Sequence, residues 1–201
     1  MSFKRLTCLT GLGNPEPQYA FTRHNVGVML LDMLGAALGK GEKPHYKQSS
    51  ASALVHYTQT QPGETLGPMV LLRSDGGFMN CSGVTLRPVW RALARQAPSG
   101  GPNAINHIVL HDELSLSIGK AQLRPHGRSC RGHNGLRDLE RQMPGVEFKR
   151  LAIGIGRPES HDPQEVAAYV LGKFTADEQE LLRQRTLPRV LELLRNDSKS
   201  T

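Results

Sequence analysis

A short apolar, β-compatible run from Leu6 to Leu12 opens the pattern and delivers Gly13 and Asn14 at its carboxyl end. Asn14 stands before Pro15, which imposes an extended or turn geometry. The period then changes: Val26, Met29, Leu30, Met33, Leu34, Ala37 and Leu38 recur at helical spacing. They predict one apolar helix face, with Asn25 as N-cap and Gly39 as stop. His24 is therefore expected on the loop just outside that helix. From Gly39 to Ser50 the chain is polar and basic and reads as a loop.

Ala53, Val55 and Tyr57 alternate as in a strand, Gln61 to Glu64 reads as a turn, and Met69 to Leu72 is a second strand, so a hairpin is expected. Asp75-Gly76-Gly77 breaks the chain before Phe78-Met79-Asn80. Ser82 then reads as the cap of a helix carrying Val84, Val89, Trp90 and Leu93. Pro88 means that this helix either starts late or is kinked.

Pro98 to Pro102 reads as a linker. Ile105 to Leu110 is an apolar run best read as a central strand, ending at His111-Asp112. Gly119 to Leu123 reads as a strand, Arg124 to Gly132 as a basic loop, Asn134 to Gln142 as a short helix, and Leu151, Ile153 and Ile155 as the next strand. Thr175 to Glu178 is a capping box opening a helix that Pro188 is expected to interrupt before Val190 to Leu194, and the tail from Asn196 is expected to fray. Strands and helices alternating in this way predict one α/β domain over residues 1–201, a twisted mixed β-sheet flanked by helices. Ligands of such sheets bind beyond the strands' carboxyl ends, where Asn14 and Asp112 both fall.

Composition narrows the class. The chain has 201 residues, 38% of them hydrophobic, enough for one real core. It shows no bilayer-length apolar run, and Met1 to Arg5 has neither a signal core nor a transit-like composition, so a soluble protein of cytoplasm or mitochondrion is expected. Cys8, Cys81 and Cys130 lack C-x-x-C spacing and indicate neither a disulfide framework nor a zinc site. Of the net charge of +7, most falls between Lys120 and Arg150, where eight basic residues face three acidic ones. Such a segment is either a solvated face or an electrostatic footprint for nucleic acid.

Three glycine patterns fail as nucleotide cradles. Gly11 and Gly13 are followed by Glu16, Gly154 and Gly156 by Glu159, and Gly127 and Gly132 by His133 and Asn134 in place of Lys and Ser/Thr. No G-x-S-x-G elbow is present, and Cys81 has no basic neighbour in sequence. A histidine such as His24 held by a carboxylate such as Asp112, without a protein nucleophile, points to activated water. Asn14, Asn80 and Asn134 lie in three glycine-flanked loops, and carboxamides can hold peptide groups or an oxyanion. Taken singly, each of these residues reads as a turn or surface residue, and Phe78 and Met79 as core.

Six strings in fixed order, G-L-G-N-P-E-P-Q-Y, T-R-H-N-V-G, D-G-G-F-M-N-C-S-G, H-D-E-L, R-G-H-N-G-L-R and L-A-I-G-I-G-R-P, make the chain similar to the bacterial-type peptidyl-tRNA hydrolase family, above all to its eukaryotic, fungal-type members. The resemblance implies hydrolysis of the ester joining a peptide, or an N-blocked amino acid, to tRNA, which recycles tRNA from peptides dropped by ribosomes. It implies a monomer whose partner is peptidyl-tRNA, with no metal and no cofactor. By this resemblance His24 is the base, Asp112 its orienting carboxylate and Asn14 the amide that favours blocked aminoacyl groups. Tyr19, Phe78, Met79, Asn80 and Asn134 hold substrate, and Arg124 is a tRNA phosphate contact.

Two departures stand out. The family's glycine-rich run before Gly-His-Asn reads here Gly127-Arg-Ser-Cys-Arg-Gly132, and its R-L-R-I-G reads Arg150-Leu-Ala152-Ile-Gly154. Arg150 and Ala152 share a strand face, so Arg150 is expected to reach toward the vacant position with Arg124, Arg128 and Arg131 as a phosphate-gripping cluster. Two other readings remain: an inactive RNA-binding module on the same fold, and a metal phosphohydrolase using His24, His111, Asp112 and His133, whose spacing fits no ligand pattern.

Overall fold

In the computed structural model, which describes residues 5–39, 41–60, 66–97, 101 and 103–199, seven strands form one sheet in the order β2-β3-β4-β1-β5-β7-β6. They are β1 (Thr7–Gly11), β2 (Lys47–Ser49), β3 (Ser52–Thr60), β4 (Met69–Arg73), β5 (Asn106–Glu113), β6 (Ala121–Arg124) and β7 (Phe148–Gly154). The helices are α1 (Val26–Leu38), α2 (Ser82–Gln96), α3 (Asn134–Gln142), α4 (Pro163–Leu171), α5 (Ala176–Leu181) and α6 (Leu187–Lys199). β4, β1, β5 and β7 run parallel, while β3 and β6 join antiparallel on either side. The four parallel strands therefore end along one edge.

The alternation of side chains divides the core. Leu9, Leu30, Leu34, Ile108, Leu110 and Ile153 pack on the α1 and α6 side; Cys8, Leu72, Leu86, Trp90, Val109 and Phe148 pack on the side of α2 and α3. Burying each such aliphatic or aromatic side chain contributes about 1.5–3 kcal/mol relative to exposure. α1 lies directly on the strands at Gly27, where a Cβ would sit 2.4 Å from the Leu110 carbonyl oxygen and 2.8 Å from that of Leu12. Only glycine permits that approach.

Several expectations change. The loop expected from Gly39 to Ser50 contains the edge strand β2. α2 does not start late: it spans Ser82–Gln96 with Pro88 inside it. Val84, whose carbonyl would otherwise accept the bond from position 88, is 49% exposed, so solvent can replace the missing donor. Ser82 does not cap α2: its Oγ donates to the Met79 carbonyl, and the first-turn N–H groups of Gly83 and Val84 donate to Asp138 from α3. Pro188 does not interrupt the last helix, because α5 passes through one π-helical turn, Leu182–Thr186, and continues as α6 with Pro188 in its first turn. The tail from Asn196 is helical to Lys199, held where Asp197 accepts from Lys149 and Asn106. The Thr175 capping box forms as expected. The turn at Gln61 to Glu64, and residues 98–100 and 102 of the linker, lie outside the described residues. Among the described residues, no helix is long and apolar enough to cross a membrane.

Candidate active site

At the parallel edge, β5 ends in His111-Asp112-Glu113, all buried. Asp112 Oδ1 accepts two imidazole bonds, from His24 Nδ1 at 2.8 Å and from His133 Nε2 at 3.0 Å. The tautomers follow from the partners. His133 Nδ1 accepts the Leu136 N–H and so caps α3, which leaves the ring proton on Nε2 to donate to Asp112. His24 likewise donates from Nδ1, because a carboxylate only accepts, and its Nε2 is left as the free lone pair.

Electrostatics reinforce the arrangement. Burial alone would raise the Asp112 pKa, but the two imidazoles hold its carboxyl far below the usual carboxylate range. Burial would lower the His24 pKa; the Asp112 charge and hydrogen bond outweigh it and leave the value above 6.5. His111 donates from Nδ1 to the Asp112 carbonyl at 2.8 Å, and burial with His133 beside it pushes its pKa down to about 3. It is neutral and faces the others only as packing.

The turn that carries His24 is fixed from outside. Arg23 donates to both carboxylate oxygens of Glu178 at 2.9 Å and to the Lys173 carbonyl at 3.0 Å, and lies 4.4 Å from the Tyr169 ring centroid. Asn25 does not act as N-cap with its side chain. Its Oδ1 accepts the Asn14 N–H at 2.8 Å and its Nδ2 donates to the Asn14 carbonyl at 3.0 Å, a two-bond staple between the His24 turn and the Asn14 loop.

Asn14 in turn reaches the third loop. Its Oδ1 accepts the Met79 N–H at 2.8 Å, so the group it can offer a ligand is the Nδ2 donor. Met79 is core, packed against the start of α3, where a Cβ on Gly135 would lie 2.8 Å from its sulfur. Phe78 is 56% exposed and meets the Tyr19 ring edge-on at 6.3 Å between centroids. Asn80 is exposed in the same turn. A cleft of about 520 Å³ is lined by His24, Asp112, Arg131, His133 and Asn134 together with Val166 and Val170 of α4.

The expected arginine cluster is only partly assembled. Arg128 and Arg131 are exposed on the loop after β6, with Arg131 donating to Ser115 at 3.0 Å. Arg124 is ion-paired with Glu113. Arg150 corrects the expectation outright: it is 1% exposed, and its guanidinium donates inward to Glu140 and to the Arg128 carbonyl. Arg150 and Ala152 do share a face, but that face is covered by α2 and α3.

His24, Asp112 and His133 could also be read as three metal ligands. A cation would have to replace the proton on His133 Nε2, and the proton would then belong on Nδ1, which already faces the Leu136 N–H. That is a donor opposite a donor, the reverse of the outer contact a ligating histidine makes. The set is built to hold a proton.

Neither the Asn25 staple nor α4 along the cleft is among the features expected from the chain. The signal for α4 was present: Asp162 before Pro163, and Gly172 after Leu171, with Asp162 accepting from the Gln164 N–H at 2.7 Å.

Comparison with known proteins agrees with the geometry. The family model for peptidyl-tRNA hydrolase matches residues 8–199. The peptidyl-tRNA hydrolase of Saccharomyces cerevisiae is 42% identical over 192 residues, covering 94% of each chain, and that of Mycolicibacterium vanbaalenii is 34% identical over 92% of this chain and 84% of its own. The crystal structure of peptidyl-tRNA hydrolase from Acinetobacter baumannii superposes with a TM-score of 0.70 at 29% identity, covering 98% of this chain and 96% of that one. With the fold, the ordered motifs and both kinds of relative in agreement from end to end, this chain belongs to the peptidyl-tRNA hydrolase family.

Proposed function

We infer that this chain hydrolyses the ester between a peptide, or an N-blocked amino acid, and tRNA, using water activated by His24. The observation that carries this reading is the Asp112 Oδ1 contact with His24 Nδ1 at 2.8 Å, which leaves Nε2 as the proton acceptor on a turn stapled to the Asn14 loop by Asn25. His24 Nε2 takes a proton from water as the oxygen attacks the ester carbonyl. Asn14 Nδ2 donates to the oxyanion that forms, and its orientation is preset by Met79. The imidazolium, held by Asp112, then gives its proton to the departing ribose oxygen. Peptide carboxylate and free tRNA are the products, and the base is restored.

Tyr19, Phe78, Met79 and Asn80 are assigned to the peptide side and Asn134 to the tRNA end in the cleft. Arg128 and Arg131 are assigned to the phosphates, with Arg124 available only by exchange of its Glu113 partner. An inactive RNA-binding module would have no use for a histidine in a defined tautomer over a buried carboxylate. Release of N-acetylamino acid from N-acetylaminoacyl-tRNA, compared with unblocked aminoacyl-tRNA, tests the assignment. Turnover of the blocked ester with little of the free one is expected; binding without turnover would favour the module.

A further inference from the structure

The strand order separates two sides of the site. Asp112 lies at the end of β5; the loop bearing Arg128 and Arg131 follows β6 on one flank, while β1, β4 and β3 extend on the other. If the phosphates are held on the β6 flank, the peptide leaves the ester toward β3, along the carboxyl edge of the sheet.

That edge has two apolar groups, the Tyr19–Phe78 ring pair, whose loop is tied to Asn14 through the Met79 N–H, and Leu54, which the same loop reaches at Gly76 and Gly77 beside Thr85 Oγ1. The Gly76 N–H donates to the Leu54 carbonyl at 3.2 Å, and a Cβ on Gly77 would lie 3.5 Å from Leu54 Cδ1, so the two segments touch. Leu54 is itself 45% exposed although its chain neighbour Val55 is fully buried. Register fixes its height: His56 pairs with Arg73, Arg73 with Gly11, and Gly11 with Leu110. Two residues further toward the edge, Leu54 on antiparallel β3 stands level with Asp112. Three strand spacings of about 4.8 Å separate them, about 14 Å, which an extended peptide spans in about four residues.

We propose that Leu54 is a specificity-determining residue of this hydrolase, against which the side chain about four residues from the ester packs, favouring apolar peptides there. The occupant is the substrate's own peptide, because Leu54 touches the loop assigned to hold it and lies away from the basic flank. The inference rests on the peptidyl-tRNA hydrolase reading. It adds a subsite that only peptides of about four residues or more can reach.

The test compares Leu54→Ser with wild type on three purified substrates: N-acetylaminoacyl-tRNA, a five-residue peptidyl-tRNA with leucine four residues from the ester, and the same peptide with serine there. The expected result is a kcat/KM on the leucine peptide lower by about tenfold, the order that a small apolar contact can discriminate. On the N-acetylaminoacyl and serine substrates it should be unchanged, which also shows that the variant is folded. An equal loss on all three would make Leu54 a support of the Phe78 loop and overturn the subsite, and no loss on the leucine peptide would overturn it as well. Failure of wild type to cleave N-acetylaminoacyl-tRNA would instead count against the enzyme assignment itself.

Discussion

His24 and His133 meet on one atom: Asp112 Oδ1 accepts from both rings, whose centroids lie 5.2 Å apart. One ring is pinned by a helix N-terminus and cannot turn without losing that bond; the other keeps its Nε2 as a lone pair. The carboxylate is therefore held as well as holding. Substituting Asp112 by Asn should act through proton placement, since an amide can present its N–H to His24 Nδ1 and so favour the wrong tautomer.

His24→Ala should lower kcat by about 10²- to 10⁴-fold with tRNA affinity little changed, because general-base action contributes rate more than binding. Asp112→Asn should fall in the same range. Single-turnover cleavage beside a filter-binding isotherm separates the two quantities, and near-normal turnover in a folded His24→Ala protein would refute water activation by this residue.

The acidic limb of the pH–rate profile should report His24. Because Asp112 holds its folded pKa above 6.5 against the effect of burial, and the base must be neutral, kcat/KM should rise about tenfold per pH unit below that pKa and level off above it. Asp112→Asn removes the raising charge, so the limb should move to lower pH. Stability runs the other way. A raised folded pKa contributes stability that is fully present below the unfolded value of 6.5 and lost as pH rises through the folded one. Parallel melting and rate curves check both signs.

Asn14→Asp keeps an acceptor for the Met79 N–H and replaces the Nδ2 donor by a carboxylate. Turnover should drop by about 10²- to 10³-fold, as when an oxyanion donor is removed. The preference for blocked over free amino groups should narrow, since a carboxylate attracts an ammonium. An unchanged blocked-to-free ratio would remove the selectivity role from Asn14.

The arginines should separate into two behaviours. Arg128→Ala and Arg131→Ala are exposed changes and should reduce the salt slope of tRNA binding by about 0.9 for each phosphate no longer neutralised, alike for all tRNAs. Arg150→Ala empties a buried position and releases Glu140 and the Arg128 carbonyl, so it should destabilise the fold by about 1–3 kcal/mol. Its salt slope should change less than that of Arg128→Ala plus Arg131→Ala. Titrations at several salt concentrations and urea melts of the same three proteins decide the matter.

Elements with a clean period or a sharp boundary are readable from the chain alone. α3 begins and ends at Asn134 and Gln142 as its motif implies, and β5 is the central apolar run. α4 is easily passed over because it is only nine residues long and none of them is fully buried, so its stripe of Val166, Tyr169 and Val170 is short. Asn25 misleads because a side chain that suits a helix cap also suits a staple, and only the third dimension brings Asn14 within reach. Arg150 shows the limit of alternation. A period of two tells which residues share a face but not whether that face is covered, and here α2 and α3 cover it.

The close approach at Gly27 has a consequence for how such an enzyme can drift. His24 stands three residues before a place where helix and strands touch main chain to main chain, with no side chain between them to repack. Its alignment is inherited from peptide geometry, which is stiff, and not from rotamers, which adapt. A single methyl at that spot has nowhere to go except by lifting the start of the helix, and a displacement of about 1 Å at a catalytic group can cost roughly 10²-fold in rate. Recognition, on the assignment proposed above, falls on exposed residues such as Arg128 and Leu54, which can be exchanged without disturbing that seam. On that assignment, selectivity for nucleic acid and peptide can change in this chain without moving His24.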